Sequence, residues 1–201
     1  MKRLLTLFVL SALAAPLAAR ADGSIQLNAS AGVSKPFGDI GDGAKLSDTV
    51  NWTFPLAASV AFRVAKQVAV GAYGRFAPAT LTSAASCSGC NANDVGFGAL
   101  VEYRFNEKPE GGPWLGAAAG YQRLETKAAA GTSSVTSTLS GWEGAFQGGS
   151  DFELGGLSIG PFLQLAFGEY GTEKVGSSSR SIASKGLHGF FGGGVRLTLL
   201  L

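Results

Sequence analysis

The sequence predicts an all-β protein, an eight-stranded antiparallel up-and-down transmembrane β-barrel. Three observations lead to this prediction. Several stretches alternate apolar with small or polar residues at period two, which is the pattern of a strand with two unlike faces. Only 15% of the 201 residues are charged, well below the roughly 25% usual in soluble domains. No stretch reaches the ~20 consecutive apolar residues that a membrane helix needs.

The first 21 residues predict a secretory signal peptide, which is excluded from the fold. Lys2 and Arg3 precede a short apolar run, and Ala19-Arg20-Ala21 has the Ala-x-Ala form of a cleavage site. A membrane-anchor helix is the alternative, but the run is short and a cleavage signature follows it. Residues 22–201 then form one barrel domain with 13 basic and 14 acidic residues, because three of the 16 basic residues leave with the signal peptide. This balance does not favour a nucleic-acid partner.

The first four predicted strands have the clearest alternation. Strand one runs from Ile25 to Ser34, strand two from Trp52 to Val64, strand three from Gln67 to Phe76 and strand four from Val95 to Phe105. Long polar segments separate strand one from strand two and strand three from strand four, and their Gly, Asp and Ser content predicts loops. Only Ala65-Lys66 separates strands two and three.

The last four predicted strands are less even. Strand five includes Leu115 to Tyr121, strand six runs from about Thr138 to Phe152, strand seven from Leu157 to Gly168, and strand eight from Gly189 to Leu201. An apolar strand carried to the last residue is unusual for a soluble domain, whereas a closed barrel must pair its last strand with its first. Long loops follow the odd-numbered strands and short turns the even-numbered ones, which places both termini at the end with the short turns.

Alternation alone does not decide which face of the barrel is outside. A soluble lipocalin-like barrel would turn its apolar face inward, but eight strands enclose an interior barely wide enough for side chains. The other face is mostly Gly, Ala and Ser with few charges, which suits a narrow interior better than a solvated surface. Aromatic residues gather near strand ends, as in the interfacial girdles of membrane barrels: Trp52, Phe54, Phe62, Phe76, Tyr103, Phe105, Trp142, Phe152 and Phe167.

With these features the mature chain resembles the small eight-stranded outer-membrane barrels of the OmpA, OmpX and OmpW type over essentially its whole length. Gly194, Leu197 and Leu199 resemble the C-terminal assembly signal of that family, although the family usually ends on an aromatic residue and this chain ends on Leu201. The resemblance implies a location in the bacterial outer membrane, with outer-membrane lipids and lipopolysaccharide around the barrel. It also implies the barrel-assembly machinery as a partner during biogenesis.

Seven charged residues fall on the predicted inner face. By strand direction, Arg75 and Glu143 lie towards the extracellular half and the others towards the periplasmic half. One interpretation is a gate or a narrow polar conduit, and the other is a plug of salt bridges, because buried charges must pair or be hydrated. The narrow interior favours the plug. The predicted lumen charge network consists of Arg63, Arg75, Glu102, Arg104, Glu143, Asp151 and Arg196.

Cys87-Ser88-Gly89-Cys90 lies in the second long loop. A Cys-x-x-Cys pair serves in redox sites and zinc sites, but redox use favours a helix N-terminus and a zinc site needs two more ligands. An exported loop is in an oxidising compartment, where disulfides persist. We therefore expect a disulfide between Cys87 and Cys90.

His188 is the single histidine and raises the hypothesis of a lipid A-modifying enzyme. Such a site needs a hydroxyl nucleophile beside the base, and the His-x-Ser element of outer-membrane deacylases is missing because Gly189 and Phe190 follow. We expect a histidine at the rim without a catalytic role, and no catalytic, metal or cofactor site.

Three functions remain open. The expected one is a structural or surface-interaction role, with possible ligands contacting the long loops and with the lumen plugged by side chains. The second is a narrow, porin-like passive channel for small or hydrophobic solutes. The third is lipid A modification.

Overall fold

A computed structural model of the protein describes residues 23–41, 43–82, 89–106, 111–130 and 133–201. The predicted signal peptide lies outside these residues. The described chain is almost wholly β-strand, with one helical turn. Its elements are β1 (Ile25–Gly41), β2 (Ala44–Lys45), α1 (Leu46–Thr49), β3 (Val50–Thr53), β4 (Leu56–Ala65), β5 (Val68–Leu81), β6 (Asn91–Arg104), β7 (Gly112–Ala130), β8 (Ser133–Leu154), β9 (Leu157–Val175), β10 (Ser178–Ser181) and β11 (Leu187–Leu200).

Eight antiparallel strands close into a ring. The strand β1 pairs with β11 on one side and with β3 and β4 on the other, and β5 to β9 lead in order back to β11. At the seam, the backbone N–H of Leu201 donates to the carbonyl of Ile25 at 2.9 Å and the reverse bond is 3.0 Å long. The predicted all-β class, strand count and pairing of the last strand with the first are confirmed.

The pairing register sets the width of the barrel. One row of paired residues leaves β1 at Asn28, passes through every strand of the ring and returns to β1 at Gly38, ten residues further along. Such an offset tilts the eight strands by about 40° from the barrel axis and leaves an interior that side chains can fill.

The outer surface is apolar, as the alternation predicts. Side chains such as Phe62, Phe97 and Leu163 point away from the barrel and are 57–62% exposed. Eight of the nine residues in the predicted aromatic girdle are exposed, and Phe167 is half-buried beside Trp142. Among the described residues, no helix is long and apolar enough to cross a membrane.

The strands extend further than the sequence predicts at one end of the barrel, here called the long-loop end. The opposite end, with the short turns and both termini, is called the turn end. Strand β1 continues past Ser34 to Gly41, and β9 continues past Gly168 to Val175. These extensions carry charged residues such as Lys35, Asp39 and Glu169 among their outward side chains, so the regular apolar alternation is interrupted while the strand pairing continues.

Pro55 divides the second predicted strand in two. Strand β3 ends at Thr53 and β4 begins at Leu56, because proline has no N–H to donate to the ladder. Its carbonyl still accepts a bond of 3.0 Å from the N–H of Gly32, which holds the interrupted strand against β1.

Apolar side chains close the long-loop end from within. The helical turn α1 buries Leu46, Val50 follows it, and Ile182 comes from the connection between β10 and β11. The sequence predicts these connections as polar loops; instead they return over the lumen and bury their aliphatic residues. The apolar cap is defined as Leu46, Val50, Leu124, Tyr170, Ile182 and Phe190.

Candidate functional site

Four of the predicted lumen residues form a closed ring of ion pairs in the turn-end half. Arg104 contacts Glu102 at 3.0 Å and Asp151 at 2.9 Å. Arg196 contacts the same two carboxylates at 2.5 Å and 2.6 Å. Each cation therefore bridges both anions, and the formal charges cancel. This group is called the four-charge ring: Glu102, Arg104, Asp151 and Arg196.

Neutral residues complete the coordination of the four-charge ring. The side-chain amide of Gln26 donates to Glu102 at 3.0 Å, and the indole N–H of Trp114 donates to Asp151 at 3.2 Å. All four charged side chains are at most 5% exposed, a position that charges tolerate only when paired and hydrogen-bonded. Sequence reasoning missed Gln26 and Trp114, although both occupy inward positions of the alternation.

A second group of charges lies closer to the long-loop end. Arg75 Nη2 is 2.5 Å from Asp94 Oδ2 and 2.6 Å from Glu143 Oε2. The hydroxyl of Tyr73 donates to Glu143 at 3.0 Å. This Arg75 cluster, defined as Tyr73, Arg75, Asp94 and Glu143, contains one cation and two carboxylates. Asp94 was assigned to the end of a loop by its sequence, whereas it lies inside β6 and is almost fully buried.

The Arg75 cluster borders a small cavity. Asp94 Oδ1 and Arg75 Nε are buried and have no hydrogen-bond partner among the described residues. The cavity measures about 20 Å³ and is also lined by Ser34 and Thr53, which is room for one water molecule. A bound water therefore fits the hydrogen-bonding needs of the cluster.

A polar chamber of about 60 Å³ lies between the two groups of charges. Its wall includes Asn28, Ser59, Tyr73, Gln147 and Gln164. The volume accepts several waters. The four-charge ring borders the chamber towards the turn end, and the Arg75 cluster borders it towards the long-loop end.

Arg63 is the predicted lumen residue nearest to the turn between β4 and β5. Its guanidinium donates to the backbone carbonyl of Lys66, in the turn between β4 and β5 at the turn end. The structure thus brings six of the seven predicted lumen residues into two groups and anchors the seventh to a turn.

His188 is fully buried inside the barrel, so the expected position at the rim is wrong. Its ring stacks on Tyr170 with the centroids 3.9 Å apart, and its Nε2 lies 2.5 Å from the side-chain nitrogen of Gln122. The register pairs His188 with Gly168 on one side and Gly38 on the other. Because neither glycine has a side chain, the imidazole has space to lie within the lumen.

Cys90 is disulfide-bonded, and the sequence contains two cysteines. Cys87, its expected partner, lies outside the described residues. Within the described ranges, no group of three or more His, Cys, Asp or Glu residues is arranged to hold a metal ion.

Comparisons with known proteins bear on the fold. No family model matches the sequence, and no curated protein matches it. The crystal structure of Neisserial surface protein A (NspA) is similar with a TM-score of 0.54 and 15% identity, over 87% of this chain and 98% of that one. The outer membrane protein OprG from Pseudomonas aeruginosa is similar with a TM-score of 0.52 and 11% identity, over 90% and 97%. The chain therefore has the fold of the small outer-membrane β-barrels.

Proposed function

We propose that the protein is a closed barrel of the bacterial outer membrane whose role is structural or interactional and whose lumen does not conduct solutes. The four-charge ring is the observation that carries this proposal. Its members come from β6, β8 and β11, so the ion pairs join strands across the interior. A passing solute would have to break contacts of 2.5–3.0 Å between buried charges, which is costly at low dielectric.

The apolar cap supports the same conclusion from the other end. Leu46, Val50 and Tyr170 have no exposed surface, and an apolar constriction opposes the passage of ions and water. A hydrated solute would therefore meet two unlike barriers in series.

The outer face supports the placement in a membrane. Charged side chains begin on the outer face at Lys35 on β1 and at Arg123 and the half-buried Glu125 on β7. The ammonium group of Lys35 lies 5.1 Å from the ring centre of Trp52, a pairing that suits a membrane–water interface. The long-loop end then faces the cell exterior, because outer-membrane barrels keep their short turns in the periplasm.

The surroundings of His188 support a role other than catalysis. Its Nε2 faces an amide and its ring is covered by Tyr170, whereas a general base must reach the proton that it removes. The connections at the long-loop end are then the surface available to a partner, since function resides in loops on a rigid scaffold.

Conductance in planar bilayers tests the closed lumen. We expect the refolded wild-type protein to give no steady openings, because both barriers are intact. The double variant Leu46→Ser, Arg196→Ser weakens both barriers and should conduct. Arg123→Ser makes the matched change on the outer surface and should remain closed. Large, steady channels in the wild type would overturn the proposal in favour of a passive channel.

The cellular location is tested separately. Unboiled protein from outer-membrane fractions should migrate differently from boiled protein on a denaturing gel, since a closed barrel resists detergent until heated. Recovery in the soluble periplasmic fraction would contradict the membrane placement.

A further inference from the structure

A third cavity is separate from the lumen charges. It lies at the long-loop end and measures about 230 Å³. Four strands and the helical turn α1 contribute to its wall. The lining residues are Ile40, Leu46, Thr49, Leu124, Thr126, Ser137, Leu139 and Glu173.

The wall has an apolar floor and a polar rim. Leu46 and Leu124 are at most 2% exposed, and Ile40 and Leu139 pack against them as partly buried neighbours. The hydroxyl-bearing residues, such as Thr126 and Ser137, are half-exposed. The cavity therefore has an apolar interior and hydrogen-bonding groups near its opening.

The charge at the rim is already neutralised. A register shift between β8 and β9 near Gly141 places Glu173 opposite Leu139, on the side of the cavity. Its Oε2 accepts a bond of 2.7 Å from Nε of Arg180, and a second guanidinium nitrogen lies 2.6 Å away. Glu173 is thus paired with Arg180, and the residues that line the cavity present no unpaired charge to a ligand.

The cavity opens at the long-loop end and is large enough for a small organic molecule. An apolar cavity of about 150 Å³ stays dry and accepts benzene. A cavity of about 230 Å³ with four aliphatic residues in its wall is large enough for a longer aliphatic molecule.

We propose that this cavity binds a small neutral aliphatic molecule that carries one hydroxyl group. The hydrocarbon part lies against Leu46, Leu124 and Leu139, and the hydroxyl group bonds Thr126 or its neighbours at the rim. Because the apolar cap contributes the floor, the site is blind: the ligand enters and leaves at the long-loop end. This binding is distinct from transport and does not depend on whether the lumen conducts.

Methyl NMR in lipid nanodiscs tests the site, with 1-hexanol as the probe. Alcohol partitions into lipid, so methyl groups on the outer surface, such as those of Leu163, should shift in proportion to its concentration. Methyl groups of Ile40, Leu124 and Leu139 should instead shift along a saturating curve. Proportional shifts at these residues as well would overturn the proposal.

Space-filling variants separate the cavity from the lipid. Leu139→Phe and Ser137→Leu occupy the cavity and should each abolish the saturating component. Leu163→Phe adds the same ring on the outer surface and should leave it unchanged. A folded, heat-modifiable band on a gel confirms that each variant retains the barrel. Saturation that persists in both folded filling variants would refute the assignment.

The hydroxyl group has its own test. We expect n-hexane to bind about fivefold more weakly than 1-hexanol, since one neutral hydrogen bond contributes about 1 kcal/mol. Thr126→Val should reduce this difference and leave hexane binding unchanged. Equal affinity of the wild type for both molecules would refute the proposed hydrogen-bonded group.

Discussion

The guanidinium carbon of Arg196 lies 3.4 Å from the centre of the Trp114 ring. One face of the cation is therefore covered by an indole, while its edge meets the carboxylates of Glu102 and Asp151. The same indole donates its N–H to Asp151. Trp114 thus fixes both an anion and a cation of the four-charge ring, which makes Arg196 the most informative position at which to test the interior.

Arg196→Met should destabilise the barrel by about 3–5 kcal/mol, the usual effect of removing one partner from a buried ion pair. The methionine keeps most of the apolar volume but leaves Glu102 and Asp151 sharing Arg104. Urea unfolding in lipid vesicles, followed by tryptophan fluorescence, measures the change.

Two further variants test whether the loss of stability comes from the unbalanced buried charge. Glu102→Gln combined with Arg196→Met restores a neutral ring and should be more stable than Arg196→Met alone. Arg123→Met breaks an exposed pair, since this arginine and Glu125 are 54% and 28% exposed, and should cost at most about 1 kcal/mol. If Arg123→Met loses as much stability as Arg196→Met, the buried four-charge ring contributes no more to stability than an ion pair on the surface.

The Arg75 cluster predicts an unequal response to two substitutions. Asp94→Asn removes one of two carboxylates that share a single cation, so stability should change by less than about 1 kcal/mol. Arg75→Met leaves both carboxylates buried without a cation and should cost about 3–5 kcal/mol. The same unfolding assay compares them, and equal losses would contradict the view that the cluster has excess negative charge.

Deletion of residues 195–201 should prevent assembly. These residues pair with β1 on one side and β9 on the other, so their loss opens two edges, and open edges are not tolerated in hydrocarbon and aggregate in water. The measurement is the heat-modifiable band of outer-membrane fractions. A truncated chain that still inserts and resists detergent would show that closure is unnecessary.

The second long connection should contain no free thiol. Alkylation of the unreduced protein followed by mass analysis should leave both cysteines unmodified, and reduction should expose two thiols together, as expected for a disulfide in an exported loop. Modification without reduction would contradict the pairing of Cys87 with Cys90.

Period-two alternation indicated the inward position of the charges that lie between the two interfaces, but not that of Asp94. It assigned Glu102, Arg104 and Arg196 to one face, and strand direction put them in the same half of the barrel. The signal is strong because hydrocarbon requires an apolar residue at every second position between the interfaces. Alternation did not indicate which charges make contact, because the pairing across the lumen depends on the ten-residue offset of the ring.

The same reasoning fails where the strands leave the hydrocarbon. Tyr170 and Asp94 lie in paired strands near the long-loop end. Outward-facing residues close to them, such as Glu169 and Arg123, are charged, so the sequence there lacks the apolar alternation that distinguishes a strand from a loop. Leu46 and Ile182 did leave a signal. Each is a large aliphatic residue in a connection that is otherwise mostly polar or small, and each is buried in the apolar cap.

Barrel closure also has an electrostatic consequence. Arg196 lies 94 residues from Glu102 and 45 from Asp151 along the chain, on the strand whose pairing with β1 closes the ring. Without that strand, Glu102 and Asp151 have only Arg104 as a cation within the four-charge ring, and the second negative charge has to be hydrated. Pairing of β11 with β1 therefore completes the charge balance of the interior as well as the hydrogen-bonded ring.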